Sequence, residues 1–553
     1  MGQLIRPVER SQSTGQDPSV PRGKEPLGNL EGNPTMTPTD SLWVAKSREL
    51  SHVSSWRWHL RFLLPILAVY LVLSLYGIGR QSLWEDEFRS VQRIAASRPI
   101  WQDGHGFLYF ALLRLWARLG TSEAVLRTLS ALLGGVAVCL IYTLGHVLLQ
   151  PRLAVVGTVL FATSPYLIWY AQEVRYITLV LVTTLLTMHS FCRVIRSGLL
   201  PWWLVYGGSC LLAFFSFLST LLLPVVQGCY LLGSSSRRSL LRKWVGCQLI
   251  VLLLFAGWFV SGTHYLKAFV EARSNSGKSS AHYKAFPLPF SGDFNNVRPG
   301  MLPYTFFALS AGFSLGPPPR ELYANRSLGQ LLPYAPMLSI LVVLYGGLLL
   351  SGLMALRRQR DSRLLLALWV GVPILCTFGI AKTLDIFYDV RYVAMVLPAY
   401  LLLVGAGIVG FRSRAVQIIL LCAVLAVHFL ALRNYYSEPR YAREDTRSAA
   451  QFLESAARSG DAILVVGTLS SLPYYYKGSL PLRSFNSVGD DAQPLTERLK
   501  EFTANCDRVW LVEIRPWQMD RAGKVKAALD GTLAQVLSQS FPGVELYAYS
   551  NSQ

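Results

Sequence analysis

The sequence predicts a polytopic α-helical membrane protein that ends in a small α/β domain. Three observations carry that expectation. First, about eleven strongly apolar stretches recur along the chain, most near the length of roughly 20 residues that a helix needs to cross about 30 Å of hydrocarbon. Second, of 553 residues 52% are hydrophobic and only 15% are charged, whereas soluble domains carry roughly a quarter charged residues. Third, after residue 432 the long apolar runs stop, and short apolar segments alternate with helical patterns.

Residues 1–58 are rich in Pro, Gly and Ser with mixed charge, a composition that cannot bury a core. They are expected to be disordered and cytoplasmic. No cleavable signal precedes the first span, which is read as an uncleaved anchor. Spans are expected near 60–79, 128–149, 153–170, 176–194, 200–218, 221–233, 245–262, 335–356, 364–380, 392–410 and 414–432, about eleven in all with thirteen as the upper bound. With this set the basic loops share one side: Arg152; Arg193 and Arg196; Arg237, Arg238, Arg242 and Lys243; Arg357, Arg358, Arg360 and Arg363; Arg412 and Arg414. By the positive-inside rule that side is cytoplasmic.

Parity decides two ambiguous regions. The stretch 199–233 is too long for one crossing at about 1.5 Å per residue, and both its flanks are basic. It therefore divides into two short helices, with a break near Ser219-Thr220. Pro303–Gly316 is apolar but short, and counting it as a span would move Arg357–Arg363 to the other side. It reads as interfacial or re-entrant, and Phe107–Leu119 as lying on the outer surface. The resulting division is 1–58, a transmembrane core over 59–435, and an extracytoplasmic α/β domain over 436–553. In the last, strands are expected at Ala462–Val466, Val509–Val512 and Val544–Tyr549, with helices around Thr446–Ala457, Leu495–Thr503 and Lys524–Leu529.

The net charge of +20 follows from those loops and does not call for nucleic acid. Seven of the eight cysteines fall in apolar runs and Cys506 stands alone in the tail, so no disulfide framework is expected. Gly405-Ala406-Gly407-Ile408-Val409-Gly410 matches a dinucleotide fingerprint but lies inside an apolar span with no strand before it, so helix packing through small residues is the better account. Gly277-Lys278-Ser279 lacks the first glycine of a phosphate loop, because Ala272 stands there.

One constellation has chemistry in it. Trp84-Glu85-Asp86-Glu87 follows the first span, and Gln172-Glu173-Val174-Arg175-Tyr176 forms the tight turn between the third and fourth. Both lie on the outer side. The ordinary reading is a pair of acidic interface loops, with Glu173 and Arg175 forming a weak local pair. Two carboxylate loops on one face, with arginines beside them, also make a site for a phosphorylated donor and a hydroxyl acceptor. Further groups share that face: Asp103-Gly104-His105-Gly106-Phe107-Leu108-Tyr109, and Asp385 to Tyr392 with Asp389 and Arg391. Arg391 and Arg127 each begin an apolar run, where a cation can simply snorkel.

The acidic pair after the first span, the His105-to-Tyr109 segment, the Ser164-Pro165 to Gln172-Glu173-Val174-Arg175-Tyr176 turn and the late Arg391-Tyr392 resemble the bacterial relatives of protein O-mannosyltransferases. These are the family 39 type of GT-C membrane glycosyltransferases, which includes the aminoarabinose transferases that modify lipid A. The resemblance covers roughly residues 59–435. One departure is His105-Gly106-Phe107, where relatives often have His-Pro-Pro. The resemblance implies transfer of a sugar from a polyprenyl-phosphate donor to a hydroxyl on a glycan, lipid or protein, with inversion, at the outer face of the cell (inner or plasma) membrane. It implies Asp86 as the base, Glu87 as its neighbour in the loop or in the role, and Glu173 as the group that positions the acceptor or tunes Asp86. Arg175, Lys382 and Arg391 are implied for the phosphate, and His105, Tyr109, Tyr176 and Tyr392 for substrate contact. A divalent cation is an option that two carboxylates can meet, although no side-chain set demands one. The alternative function is a transporter or flippase of lipid-linked sugars. That role places ionisable groups at mid-membrane, whereas here they gather at the ends of the spans.

Overall fold

In the computed structural model the described residues are 59–96, 106–262 except 234, 297, 299–324, 328–384, 387–467, 471–485, 494–516 except 505, 520 and 522–550. The expectations for residues 1–58, Asp103, His105, Asp385 and the 277–279 segment lie outside them. From Leu60 onward the chain forms one compact unit.

A helix covers each of the eleven apolar stretches. Seven helices are long and apolar enough to cross a membrane, or eight if the bent pair Pro151–Ala162 and Pro165–Ala171 counts as one span. His59–Leu75, Leu200–Ser216, Leu218–Leu232 and Met301–Ala311 are shorter apolar helices. Apolar side chains on the outside of the bundle stay exposed, with Val343 at 75% and Leu253 at 71%. A water-soluble surface does not tolerate such a belt, and a lipid-facing one requires it. The chain is a multi-pass membrane protein.

Breaks in the helices fall where the sequence supplies a reason. The 199–233 stretch breaks at Phe217, whose backbone is extended, and Leu218–Leu221 follows as a 3-10 turn. Ser164 caps the Pro165–Ala171 helix by accepting the Leu167 N–H, and Pro165 sits at its first turn, where the missing N–H costs nothing. That helix is bent by 50° from the one before it, and so aims Trp169, Tyr170 and the Glu173 turn at the end of the bundle.

The glycine-rich run at 405–410 is a packing seam. It lies in the Leu397–Val409 helix between Pro151–Ala162 and Ala335–Ala355. A Cβ on Gly407 would stand 2.0 Å from the Leu348 carbonyl oxygen, and one on Gly352 would stand 2.2 Å from that of Leu403. A backbone carbonyl approaches this closely only where the residue it faces has no side chain.

The C-terminal residues build a five-stranded sheet: β1 Ala462–Gly467, β2 Leu482–Phe485, β3 Arg508–Ile514, β4 Ala534–Phe541 and β5 Val544–Ser550, in the order β2-β1-β3-β5-β4. β2, β1 and β3 run parallel, and β5 and β4 are antiparallel. Side chains alternate between faces, as a strand dictates. Ile463, Val465, Trp510 and Val512 pack under the Thr446–Ala456 helix. Leu464, Val466, Val509 and Leu511 pack against Leu499, Val525 and Leu529 of the opposite helices. β2 and β4, which the sequence did not reveal, are the two edges of the sheet.

Candidate active site

The Glu85–Ala95 helix begins with three acids, Glu85, Asp86 and Glu87. Their charges suit the positive end of a helix dipole, and the Glu87 carboxylate accepts the Trp84 N–H at 3.3 Å. The three neighbours then face three different environments.

Glu87 points inward and is fully buried. Its oxygens accept from Arg127 Nε at 2.8 Å and Arg127 Nη2 at 2.7 Å, from Arg443 Nη1 at 3.0 Å, and from the Val174 N–H at 2.9 Å. Burial alone raises its pKa, but the two arginines outweigh that and hold the carboxyl below its ordinary value. Arg127 spends its remaining donors on the carbonyls of Ile78, Gln81 and Ser82. It is a buried strut, not the snorkelling anchor that its place at a span's start suggested. Glu87 has no access to the cavity and ties the first outer loop to the second.

Asp86 points into a cavity of about 170 Å³ lined also by Glu173, Arg391, Arg443 and Arg515. Arg391 Nη1 donates to its Oδ2, and Arg175 Nη2 stands 3.6 Å from the same oxygen. Burial opposes the charge of Asp86, yet Arg175 and Arg391 hold its carboxyl well below the usual range. Arg391 also pairs with Asp389, which fixes its backbone by accepting the Arg391 N–H at 2.9 Å.

Glu173 lines the same cavity and is 1% exposed. Its Oε1 accepts from Arg443 Nη2 at 3.2 Å, whereas its Oε2 has no hydrogen-bond partner among the described residues. Burial pushes its pKa up to about 7. Arg443 pulls it down, and Glu87 pushes it up again.

The remaining sequence candidates separate. Arg175 lies behind Asp86, with its guanidinium 4.8 Å from the centre of the Tyr176 ring. Tyr176 stacks on Phe217 at 4.7 Å, and Phe217 meets Tyr392 at 5.7 Å, so the helix break at Phe217 gives these two tyrosines their packing partner. Tyr109 is buried off the cavity; its hydroxyl meets Ser130 Oγ at 2.8 Å, and Ser130 donates to the Arg175 carbonyl at 3.3 Å. It braces the arginine turn. Lys382 is exposed near the end of the Arg360–Thr383 helix and is not among the residues lining the cavity. His105 lies outside the described residues.

Several groups escape a sequence reading. Arg443 and Glu444 follow the last long helix and both line the cavity: Arg443 holds Glu87 and Glu173, while Glu444 accepts from Arg515 Nε at 2.8 Å. Arg515 sits just past β3 and also pairs with Glu85 at 3.4 Å. Its φ of 53° makes it the one non-glycine among the described residues in the left-handed region, a conformation kept only where surrounding contacts enforce it. Arg320 and Arg440 line the cavity too. Arg320 donates to the carbonyls of Pro439 and Arg440 at 3.2 Å. Among the described residues no group of three or more His, Cys, Asp or Glu side chains is placed to hold a metal ion. Glu85, Asp86, Glu173, Asp389 and Glu444 line the cavity, and each of these carboxylates is paired with an arginine.

Comparison with known proteins agrees with this geometry. Residues 104–260 match the family model of dolichyl-phosphate-mannose-protein mannosyltransferases. No curated protein matches the sequence. The fold is similar to ArnT from Cupriavidus metallidurans bound to undecaprenyl phosphate, with TM-score 0.53, 14% identity, 88% of this chain and 98% of that chain covered. It is also similar to the archaeal oligosaccharyltransferase AglB from Archaeoglobus fulgidus in complex with an inhibitory peptide and a dolichol-phosphate, with TM-score 0.50, 12% identity, 90% of this chain and 74% of that chain covered. At these identities the likeness is one of fold, and that fold is the GT-C membrane glycosyltransferase fold to which the sequence motifs pointed.

Proposed function

From a GT-C fold whose outer loops converge on one cavity, we propose that this protein transfers a sugar from a polyprenyl-phosphate donor to a hydroxyl acceptor at the extracytoplasmic face of the cell membrane. The observation that carries the reading is the shared cavity itself. Asp86 and Glu173, from two separate loops, line it together with Arg391 and Arg443, at the end of the helices where a lipid-borne phosphate meets water. The family-model match and the lipid phosphates named with ArnT and AglB support the donor class.

Three helices support this sidedness. Ile177–Ser197 starts at the Glu173 turn and ends at Arg196; Arg360–Thr383 and Arg414–Ser437 start at basic residues and run toward the cavity segments at 387–391 and 440–444. Basic loops favour the cytoplasm, so the cavity opens outside. On this reading the α/β domain over 436–553 is extracytoplasmic, as an odd count of eleven spans would require.

Breaking the bond between sugar and phosphate leaves negative charge on the phosphate, and a preformed cation lowers the barrier most when water is excluded. Arg391 on the cavity wall, with Arg175 behind Asp86, supplies it. The acceptor hydroxyl needs a group to take its proton, and the cavity offers two carboxylates. Attack on the face opposite the phosphate inverts the anomeric carbon. The test is transfer by the full-length protein in nanodiscs, given polyprenyl-phosphate sugars extracted from the host membrane. Release of free polyprenyl phosphate in step with a new glycoside, read by mass spectrometry, is the expected result. Accumulation of the same donors in a deletion strain is its cellular counterpart. If the donors are merely exchanged across a bilayer without cleavage, the protein is a transporter.

A further inference from the structure

We infer that Glu173, presented by Arg443, is the group that takes the acceptor's proton, and that Asp86 instead serves to hold Arg391 and Arg175 at the departing phosphate. The inference rests on the transferase reading above and deepens it by dividing the work between the two cavity carboxylates.

Geometry separates them. Asp86 Oδ2 is committed to Arg391 and to Arg175. A carboxylate between two guanidiniums is a poor proton acceptor, because accepting a proton means giving up both pairs. Glu173 is almost completely buried, has one oxygen engaged and one without a hydrogen-bond partner among the described residues, and lines the cavity. A buried acceptor atom left unmatched costs stability, and such atoms occur where a ligand group completes them. Arg443 is what makes the placement possible. One guanidinium spans Glu87 and Glu173, donates to the Gln172 carbonyl at 2.9 Å, and lies 5.8 Å from the centre of the Trp169 ring. It grips Oε1 and leaves Oε2 buried at the cavity wall without a hydrogen-bond partner among the described residues. Arg443 is thus a positioning residue, and Glu173 the catalytic one.

The step balances as follows. Glu173 Oε2 takes the proton as the acceptor oxygen forms its bond to the anomeric carbon. The bond from that carbon to the phosphate oxygen breaks, and its electron pair leaves on the phosphate beside Arg391. Glu173 ends neutral and the phosphate ends with one more negative charge. The charged and titratable groups that act on Glu173 come from several elements: Glu87 from the Glu85–Ala95 helix, Tyr109 from the Phe107–Trp116 helix, Tyr170 from the preceding helix, Arg175 from its own turn, Arg391 from the segment before the Leu397–Val409 helix, Tyr435 from the Arg414–Ser437 helix, and Arg443. Burial leads, so its pKa of about 7 stands near the pH of the reaction, where a general base is most effective.

The experiment uses the full chain in nanodiscs and has two readouts. In infrared difference titration without ligand, the wild type should show the C=O stretch of a protonated, buried carboxyl that disappears as pH rises through about 7. Glu173→Gln should lack that band, and Asp86→Asn should keep it. In transfer from polyprenyl-phosphate sugars, the wild-type rate should rise with pH across the same range. Glu173→Gln keeps an acceptor for Arg443, so it should fold and bind undecaprenyl phosphate normally while losing about 10²–10⁴-fold in rate. Arg443→Lys, which keeps the charge but not the fork, should move the acid limb of the pH profile without abolishing binding. If the wild type is active and Glu173→Gln matches it in rate and pH profile, or leaves the titrating band in place, the proposal is overturned and the proton belongs to Asp86. A wild type that cleaves none of the donors overturns the transferase reading itself, a result distinct from both.

Discussion

At the scale of the residue, adjacent acids in one loop carry different loads. Glu87 is buried among Arg127, Arg443 and the Val174 N–H. Glu87→Gln removes the charge, leaving Arg127 without its carboxylate and Arg443 with Glu173 alone. Breaking one side of a buried ion pair costs about 3–5 kcal/mol, so this variant should lose thermal stability in detergent, measured by fluorescence-detected size exclusion after heating. Asp86→Asn, whose side chain is 18% exposed and whose partner Arg391 retains Asp389, should melt close to wild type; equal melting of both variants would contradict the buried strut. Arg391→Ala should weaken binding of polyprenyl phosphate, with Lys a partial rescue because the forked contact is lost. Titration calorimetry in nanodiscs checks this, and unchanged affinity would make Arg391 an anchor. The acids were legible in the sequence because a charge cluster in a short outer loop stands out locally. Their partners were not. Arg443 meets Glu87 across 356 positions and Glu173 across 270, and no local pattern marks a cation that far away. Lys382 looked equivalent to Arg391 because it follows one apolar run and Arg391 begins the next on the same side, yet it is not among the residues lining the cavity.

At the scale of the element, periodicity and punctuation did most of the work. The single span expected over 153–170 is bent by 50° at Ser164-Pro165, and the even number of crossings required between two basic flanks placed a break near Ser219-Thr220, two residues from the one found at Phe217. The central strands β1, β3 and β5 were visible as dense apolar runs. The edges were not: β2 is four residues long, and β4 is largely exposed. A strand paired on one side only needs no continuous apolar run, and polar edges discourage further pairing. Helix packing is testable at the glycine seam. Gly407→Val would press a branched side chain onto the Leu348 carbonyl, which belongs to backbone and cannot swing aside. The folded yield should fall sharply. Gly346→Ala, in the facing helix with nothing within 4 Å of its added Cβ, should be neutral or slightly stabilising, since Ala favours helix over Gly by up to about 1 kcal/mol. Monodispersity after solubilisation reads both, and a well-behaved Gly407→Val protein would mean that the seam can open.

At the scale of the whole molecule, the C-terminal α/β region is fastened to the first outer loop and contributes Arg515, just past β3, to the cavity. Ser82 donates to Asp445, the Leu83 N–H donates to Tyr475, Arg447 pairs with Glu123, and Arg515 reaches Glu85. The loop and the sheet must therefore lie on one side of the membrane, whichever short helices cross it. The sequence argument for that side needed an odd span count; these contacts need none. Helix direction supports the proposed sign, because Ile177–Ser197 leads from the Glu173 turn to the basic pair Arg193 and Arg196, and short basic loops favour the cytoplasm. A reporter that works only after export, fused behind Gln553, should be active. The same reporter placed after Arg238, between the Leu222–Leu232 and Leu241–Gly262 helices, should be silent. Activity at the second position and silence at the first would turn the molecule over. The cavity would then face the cytoplasm, and a lipid-phosphate donor would have to be read from the inner leaflet. Activity at both would break the link between helix direction and basic loops, while the shared placement of sheet and acidic loop would still stand on its own contacts.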